Sequence, residues 1–238
     1  MNPLIYYAAG LAVSVVSGIL AGFGAVYVFN KMPAKWLCDY GETPDVRHLP
    51  PRVGRYPWGP LFALVFASAT FKTGLAGWTY GAAVLPALWL LLLIGMSDKK
   101  YCIIPDQFVI ALAVTGIGFA SLGNGVLSPL LGLAAGGGVF FVIGLLGKLI
   151  MKKDVMGFGD VKLAAVCGLV TGLSGIIAIM VMTALSSAAL FSLWLAGGKL
   201  KASDQEPLGP FIAGSAAVYL IFSQELQQAI RFYLYGSV

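Results

Sequence analysis

Long apolar runs, separated by short polar breaks, dominate the chain. At ~20 residues per crossing, the pattern predicts about eight transmembrane helices, roughly 4–29, 58–71, 79–96, 106–122, 126–149, 160–172, 174–196 and 208–223. The runs are continuous rather than alternating. That excludes a closed β-barrel and predicts an all-α polytopic membrane protein. The second and sixth runs are short, as for tilted or broken crossings. The first run, Leu4 to Phe29, lacks a basic start and a small-residue cleavage site, so it reads as a span rather than a removed signal. Glycines such as Gly132, Gly136, Gly137, Gly138 and Gly144 recur at spacings that let membrane helices approach closely.

Composition agrees. The chain is 59% hydrophobic and 11% charged, against roughly a quarter charged in soluble domains. A single membrane-embedded domain over 1–238 is expected. Its one long polar segment, 30–57, is too short for its own core and reads as an ordered or semi-ordered cytoplasmic loop, the alternative being a solvated connector that sets topology. The net charge of +5 does not point to nucleic acid, because the basic residues lie between spans. All but Lys72 and Arg231 of the 15 basic residues fall in 30–57, 97–105, 150–159 and 197–207 or on adjoining helix ends. This bias predicts that those connections are cytoplasmic and both termini outside. The stretch 224–231, of mixed polarity, reads as interfacial.

Two acids stand out. Asp160 and Lys162 sit in Met156-Gly157-Phe158-Gly159-Asp160-Val161-Lys162, at the head of an apolar run. Ionisable groups there are expensive to place in a bilayer, about 2.5–3.5 kcal/mol at its centre, and are candidates for function; the alternative is a helix N-cap. Gly157 and Gly159 leave room for another chain to approach. Asp98 closes the third span, and the topology puts it at the same end as Asp160. Two neighbouring carboxyls do not both ionise cheaply, so together they supply a base for water and an acid for a departing amine. Such hydrolysis needs no metal. Scattered cysteines (Cys38, Cys102, Cys167) and a single histidine, His48, argue against a metal site, a disulfide framework or a Ser-His triad. Bland readings remain open. Asp106, after Pro105, looks like an N-cap of the fourth span. Asp98 could be a loop charge paired with Lys99 or Lys100, and Asp154 a solvated one. Lys162 could tune Asp160, bind a carbonyl or snorkel.

The motifs resemble those of the type IV prepilin peptidases, bacterial G-x-G-D intramembrane aspartyl proteases. Gly157 to Ala165 is similar to the family's G-x-G-D-x-K-L-x-A, and Asp98 to Asp106 to its D-x(6)-P-D. Pro207 to Ala213 is similar to P-x-G-P-F-x-A, and Gly18, Gly22 and Lys31-Met32-Pro33 to the spaced pattern of its first span. The resemblance implies a G-x-G-D protease-like helical bundle in the bacterial inner membrane, with its active site facing the cytoplasm. It implies Asp98 and Asp160 as the catalytic pair, with Gly157, Gly159, Lys162, Pro105 and Asp106 in support. The implied partners are prepilin or pseudopilin precursors and the lipid bilayer. Proteolysis would need no cofactor. Family members that also methylate the new N-terminus use S-adenosylmethionine, and their longer loop carries two C-x-x-C pairs. Here the loop has only Cys38, although Arg55-Tyr56-Pro57 resembles the family's R-Y-P. A basic leader would have to be met by acids such as Glu42 and Asp45, or by shape. A proton-coupled transporter and a non-catalytic pilus or secretion assembly factor are the alternative readings.

Overall fold

A computed structural model describes residues 3–38, 43–44, 48–50, 52–76, 78–122, 125–152, 156–198 and 206–236. Glu42, Asp45 and Asp154 lie outside the described residues. The elements are α1 (Pro3–Lys31), a 3-10 turn (Ala34–Leu37), α2 (Trp58–Ala76), α3 (Trp78–Tyr101), α4 (Asp106–Leu122), α5 (Leu127–Met151), α6 (Phe158–Ala196) and α7 (Gly209–Tyr235). Within α1, α3, α5 and α6 lie segments long and apolar enough to cross a membrane. On α1 and α5, large apolar side chains such as Leu20, Tyr27, Leu146 and Leu149 point outward, more than half exposed. Water-facing surfaces rarely carry patches of this extent; the expectation of an all-helical, polytopic membrane protein holds.

At the centre is α3. Leu88, Leu91, Leu93, Ile94 and Met96 are all buried, with α2, α4 and α7 packed around it. Small residues let the outer helices pair. A Cβ added to Gly22 of α1 would lie 2.3 Å from the Ala63 nitrogen of α2, and one on Gly168 of α6 would lie 2.0 Å from the Gly132 oxygen of α5. In hydrocarbon, burial of apolar surface does not drive helices together; such close backbone packing does.

The longest helix is folded. A straight α6 of 39 residues would run about 58 Å, yet both of its ends lie beside the end of α3. Asp160 shares a cavity with Asp98, and Lys99 Nζ lies 5.0 Å from the Trp194 ring centre. Halfway along, a Cβ on Gly136 would meet both the Ala164 oxygen at 2.3 Å and Ile176 Cγ1 at 3.1 Å. The chain reverses at Gly172, whose φ of 72° and ψ of −177° belong to a region essentially reserved for glycine. The sixth and seventh runs of the sequence are thus two arms, 158–171 and 173–196, joined without a loop.

Other boundaries also differ from expectation. The connection placed at 97–105 is helical through Tyr101, so Asp98 lies on the last turn of α3. The stretch 224–231 continues α7 beyond a kink at Phe222 (φ −115°, ψ 26°). Near that kink the Tyr80 hydroxyl donates to the Leu220 carbonyl at 3.0 Å. Of the two readings of 30–57, the ordered loop fits and the solvated connector does not, since His48 and Arg52 are buried.

Replacing Gly168 with alanine is expected to lower stability by about 1–3 kcal/mol through overpacking. A Cβ on Gly138 meets nothing within 4 Å, and Gly138→Ala should leave stability unchanged or slightly higher. Thermal unfolding of the two variants in detergent, followed by tryptophan fluorescence, checks the contrast.

Candidate active site

The final turn of α3 is closed by its own backbone. Cys102 takes a left-handed conformation (φ 55°), and its N–H donates to the Asp98 carbonyl at 2.8 Å. The hydroxyl of fully buried Ser97 donates to the Ile103 carbonyl at 2.9 Å, pinning the irregular 103–105 strap beneath the helix end. Asp98 itself is only 5% exposed. Its Oδ2 accepts the Gly209 N–H at 2.9 Å. That N–H belongs to the first residue of α7, where helical donors lack partners within the helix and the dipole favours a carboxylate.

Asp160 arrives from the opposite direction. Gly157, extended at φ −71° and ψ 142°, occupies the N-cap of α6. Asp160 is three residues on, and its N–H donates to the Gly157 carbonyl at 3.1 Å. The N-cap position itself is a glycine, and Asp160 turns its carboxyl back to take a hydrogen bond from the Gly157 backbone. Asp160 Oδ1 is buried without a hydrogen-bond partner, a costly state for a carboxylate oxygen unless a proton, water or ligand meets it. Gly159 is what lets α6 begin here, since a Cβ on it would stand 3.2 Å from Ile104 Cβ. Hanging from α3 by Ser97, the strap thus receives the start of α6. Asp98 and Asp160 thereby line the same cavity.

The supporting residues sort differently from their bland readings. Pro105 takes the N-cap place of α4, its carbonyl accepting the Phe108 N–H at 3.1 Å and the Val109 N–H at 3.3 Å. Asp106 follows as the first helical residue, and its carboxylate pairs with Lys162 Nζ. Lys162 also lies 5.4 Å from the Phe158 ring centre, so it braces α4 against α6. Lys99 pairs with Glu206 at 3.1 Å and leaves Asp98 to Gly209.

All seven residues singled out in the sequence, Asp98, Pro105, Asp106, Gly157, Gly159, Asp160 and Lys162, line one cavity of about 1200 Å³. This is somewhat above the ~300–1,000 Å³ usual for small-molecule pockets. Its remaining wall includes Lys35, Trp36, Cys38, Thr43 and Pro44, so the 30–57 segment is part of the site. Trp36 meets Phe108 of α4 edge-on, ring centres 6.1 Å apart. Cys102 is exposed at the cavity. Partial desolvation, then the charges of Asp98 and Glu206, raise its pKa and make it a poor nucleophile.

A buried arginine anchors this wall. Arg52 donates through Nε to the His48 carbonyl and through its two terminal nitrogens to the Phe29 and Met32 carbonyls, each at 2.7 Å. It thereby satisfies acceptors left open at the C-terminal end of α1. Asn30 Oδ1 accepts the Arg52 and Val53 N–H groups at 2.7 and 3.0 Å. The His48 ring stacks on Tyr101 at 5.0 Å, which joins the wall to the end of α3.

Two positions escaped the sequence reading: Gly209, which donates to Asp98, and Arg52. Pro207-Leu208-Gly209-Pro210 signals a helix start but not what its first N–H meets. Arg52 is one of three arginines in 30–57, and residue type does not say which of them is buried.

Fold and site together define a membrane-embedded helical bundle with paired acids in a cavity at one end. Residues 85–195 match the model of the Type IV leader peptidase family. Three similar proteins are each described as a prepilin leader peptidase/N-methyltransferase. The one from Xanthomonas campestris pv. campestris is 29% identical, covering 72% of this chain and 60% of its own. That from Aeromonas hydrophila is 26% identical, covering 77% and 63%. That from Stutzerimonas stutzeri is 27% identical, covering 72% and 60%. The chain therefore spans a little over 60% of the length of these relatives at most, and no solved structure matches it. The resemblance to the type IV prepilin peptidases is real: the stretch from α3 to the end of α6 carries that family's pattern.

Arg52→Met is expected to cost about 1–3 kcal/mol for the carbonyls it strands and to loosen 30–57. Limited proteolysis should then cut that segment faster than in the parent chain, with a lower unfolding temperature.

Proposed function

We propose that the chain is a membrane aspartyl endopeptidase that removes the leader from type IV prepilin-like precursors. The observation that carries this reading is that Asp98 and Asp160, 62 positions apart in the sequence, open onto one cavity. One carboxylate takes a proton from a water held between them as that water attacks the scissile carbonyl. The other carboxyl gives its proton to the departing amine. The backbone at Gly157 and Gly159, without side chains, lets an extended substrate lie against the start of α6. With Lys162 committed to Asp106, its part is to hold α4 and α6 around the cavity.

Eight crossings, counting the two arms of α6, with the cavity at the cytoplasmic face of a bacterial inner membrane and both termini outside, complete the proposal. Lys31, Lys35, Lys99, Lys100 and Lys152 gather toward that end, as the positive-inside bias requires. A proton-coupled transporter would place its acids near the middle of the membrane; here they sit at helix ends. A non-catalytic assembly factor would have no need of both.

Cleavage by this route needs no cofactor. Methyl transfer from S-adenosylmethionine is left outside the proposed reaction. Members that methylate carry a cysteine-rich loop, whereas Cys38 is the one cysteine of 30–57, its thiol directed at the Ala34 carbonyl at 3.3 Å. Among the described residues no three histidine, cysteine or acidic side chains gather as metal ligands, so the zinc associated with that loop finds no matching donor set here.

Purified protein in detergent, mixed with a recombinant prepilin, should release the leader. Asp98→Ala and Asp160→Ala should each abolish release, and full activity in either would sink the assignment. Mass measurement of the mature product decides whether its N-terminal amine is free or carries a methyl group. For orientation, a membrane-impermeant maleimide should label Lys152→Cys in inverted vesicles but not in spheroplasts; the reverse pattern would turn the topology over.

A further inference from the structure

Asp98 and Lys99 are neighbours on the last turn of α3, and both hold the same short segment. Asp98 Oδ2 takes the Gly209 N–H at 2.9 Å. Lys99 Nζ reaches Glu206 Oε2 at 3.1 Å and lies 5.0 Å from the Trp194 ring centre. Residues 206–208 have no regular structure; they lead directly into α7. Phe211, on the first turn of that helix, meets Phe191 edge-on at 5.2 Å between ring centres. The second arm of α6, the end of α3 and the start of α7 are therefore tied at one point, and Lys99 is the group common to all three.

The fit at Gly209 leaves no slack. A Cβ there would stand 2.5 Å from Asp98 Oδ2 and 2.9 Å from Cγ, so the bare backbone lies directly against the carboxyl group. A carboxylate fixed through one oxygen presents the other in a set direction, and catalysis is sensitive to orientation errors of this kind. The Leu208 carbonyl accepts the Phe211 and Ile212 N–H groups at 3.0 and 3.1 Å, so Gly209 moves with the first turn of α7. Glu206, three residues before Gly209, ties that turn sideways to Lys99.

We infer that Lys99 and Glu206 are positioning residues for Asp98: their ion pair, seated on Trp194, holds the start of α7 so that the Gly209 N–H aims the Asp98 carboxylate into the cavity. The inference deepens the peptidase reading and rests on it. Neither side chain needs to touch substrate; each acts through Gly209. Since both are partly exposed, the pair is screened by salt, and its effect should weaken as ionic strength rises.

The test uses the full chain in detergent, with a recombinant prepilin at varied concentration. Lys99→Met and Glu206→Gln should each lower kcat about threefold, the scale of an exposed ion pair, with KM unchanged. Lys99→Met/Glu206→Gln should be no slower than either single variant, because the pair acts as a unit. The exchanged pair, Lys99→Glu/Glu206→Lys, should recover most of the lost kcat. Raising salt should slow the parent toward the variants and leave the double variant unchanged. Unaltered kcat in the single variants, losses that multiply in the double, or no recovery on exchange would overturn the inference.

A second readout is independent of turnover. Hydrogen–deuterium exchange across 206–211 should quicken in both single variants and return toward the parent rate in the exchanged pair. Equal exchange in all chains would overturn the positioning role of the Lys99–Glu206 pair even if cleavage were affected. If the parent chain released no leader, the peptidase reading would fall, while the exchange data would still decide whether the pair holds Gly209.

Discussion

The structure depends on the reversal of α6 at Gly172. A helix of that length would otherwise carry its far end well beyond the bilayer. Folded, it returns Trp194 to the end of α3 where Asp160 already lies, and three chain ends meet there: the last turn of α3, the first turn of α6 and the first turn of α7. The fold-back is possible because glycine tolerates the backbone angles at the turn. It is supported along the first arm, where glycine on α5 faces glycine on α6. The placement of the two acids is thus set by helix packing some distance from either of them.

At the site itself the two carboxylates are held by unlike means. Asp98 is fixed from the side, by a helix N-terminus that donates to one of its oxygens. Asp160 stands at a helix start that rests on Ile104, its carboxyl held by the Gly157 backbone while its Oδ1 has no partner. An acid that is held and an acid with a bare oxygen line the same cavity, which is the arrangement the proposed hydrolysis asks for. The wall of the cavity is secured separately. Arg52 is a buried cation whose partners are carbonyl oxygens rather than acids, so it stabilises through hydrogen bonds at the end of α1 and brings no countercharge into the site.

Much of this was legible in the sequence, for identifiable reasons. Apolar runs report crossings because the bilayer imposes a length, and α4 and α5 fall close to where the pattern put them. The break between the sixth and seventh runs falls within a residue of the reversal, but the pattern does not show that a single glycine with unusual angles makes the turn, because periodicity is blind to backbone angles. The helix end at Asp98 was set too early because Ser97, Lys99 and Lys100 look like a loop, while the burial of Ser97 and Asp98 comes from neighbours far along the chain. The seven site residues share one cavity because they fall on two motifs whose strands of meaning, acid and glycine, are local. Gly209 and Arg52 were not legible as site elements, since their contacts are backbone N–H and carbonyl groups that leave no mark in residue identity.

The central claim is that Asp98 and Asp160 form one catalytic unit. Single-turnover cleavage by Asp98→Asn, Asp160→Asn and the combined variant measures this most directly, because members of a unit do not contribute independently. The account predicts that all three retain the same residual rate, so that the second replacement costs nothing further. Losses that multiply in the combined variant, or a single variant that cleaves as fast as the parent chain, would contradict it.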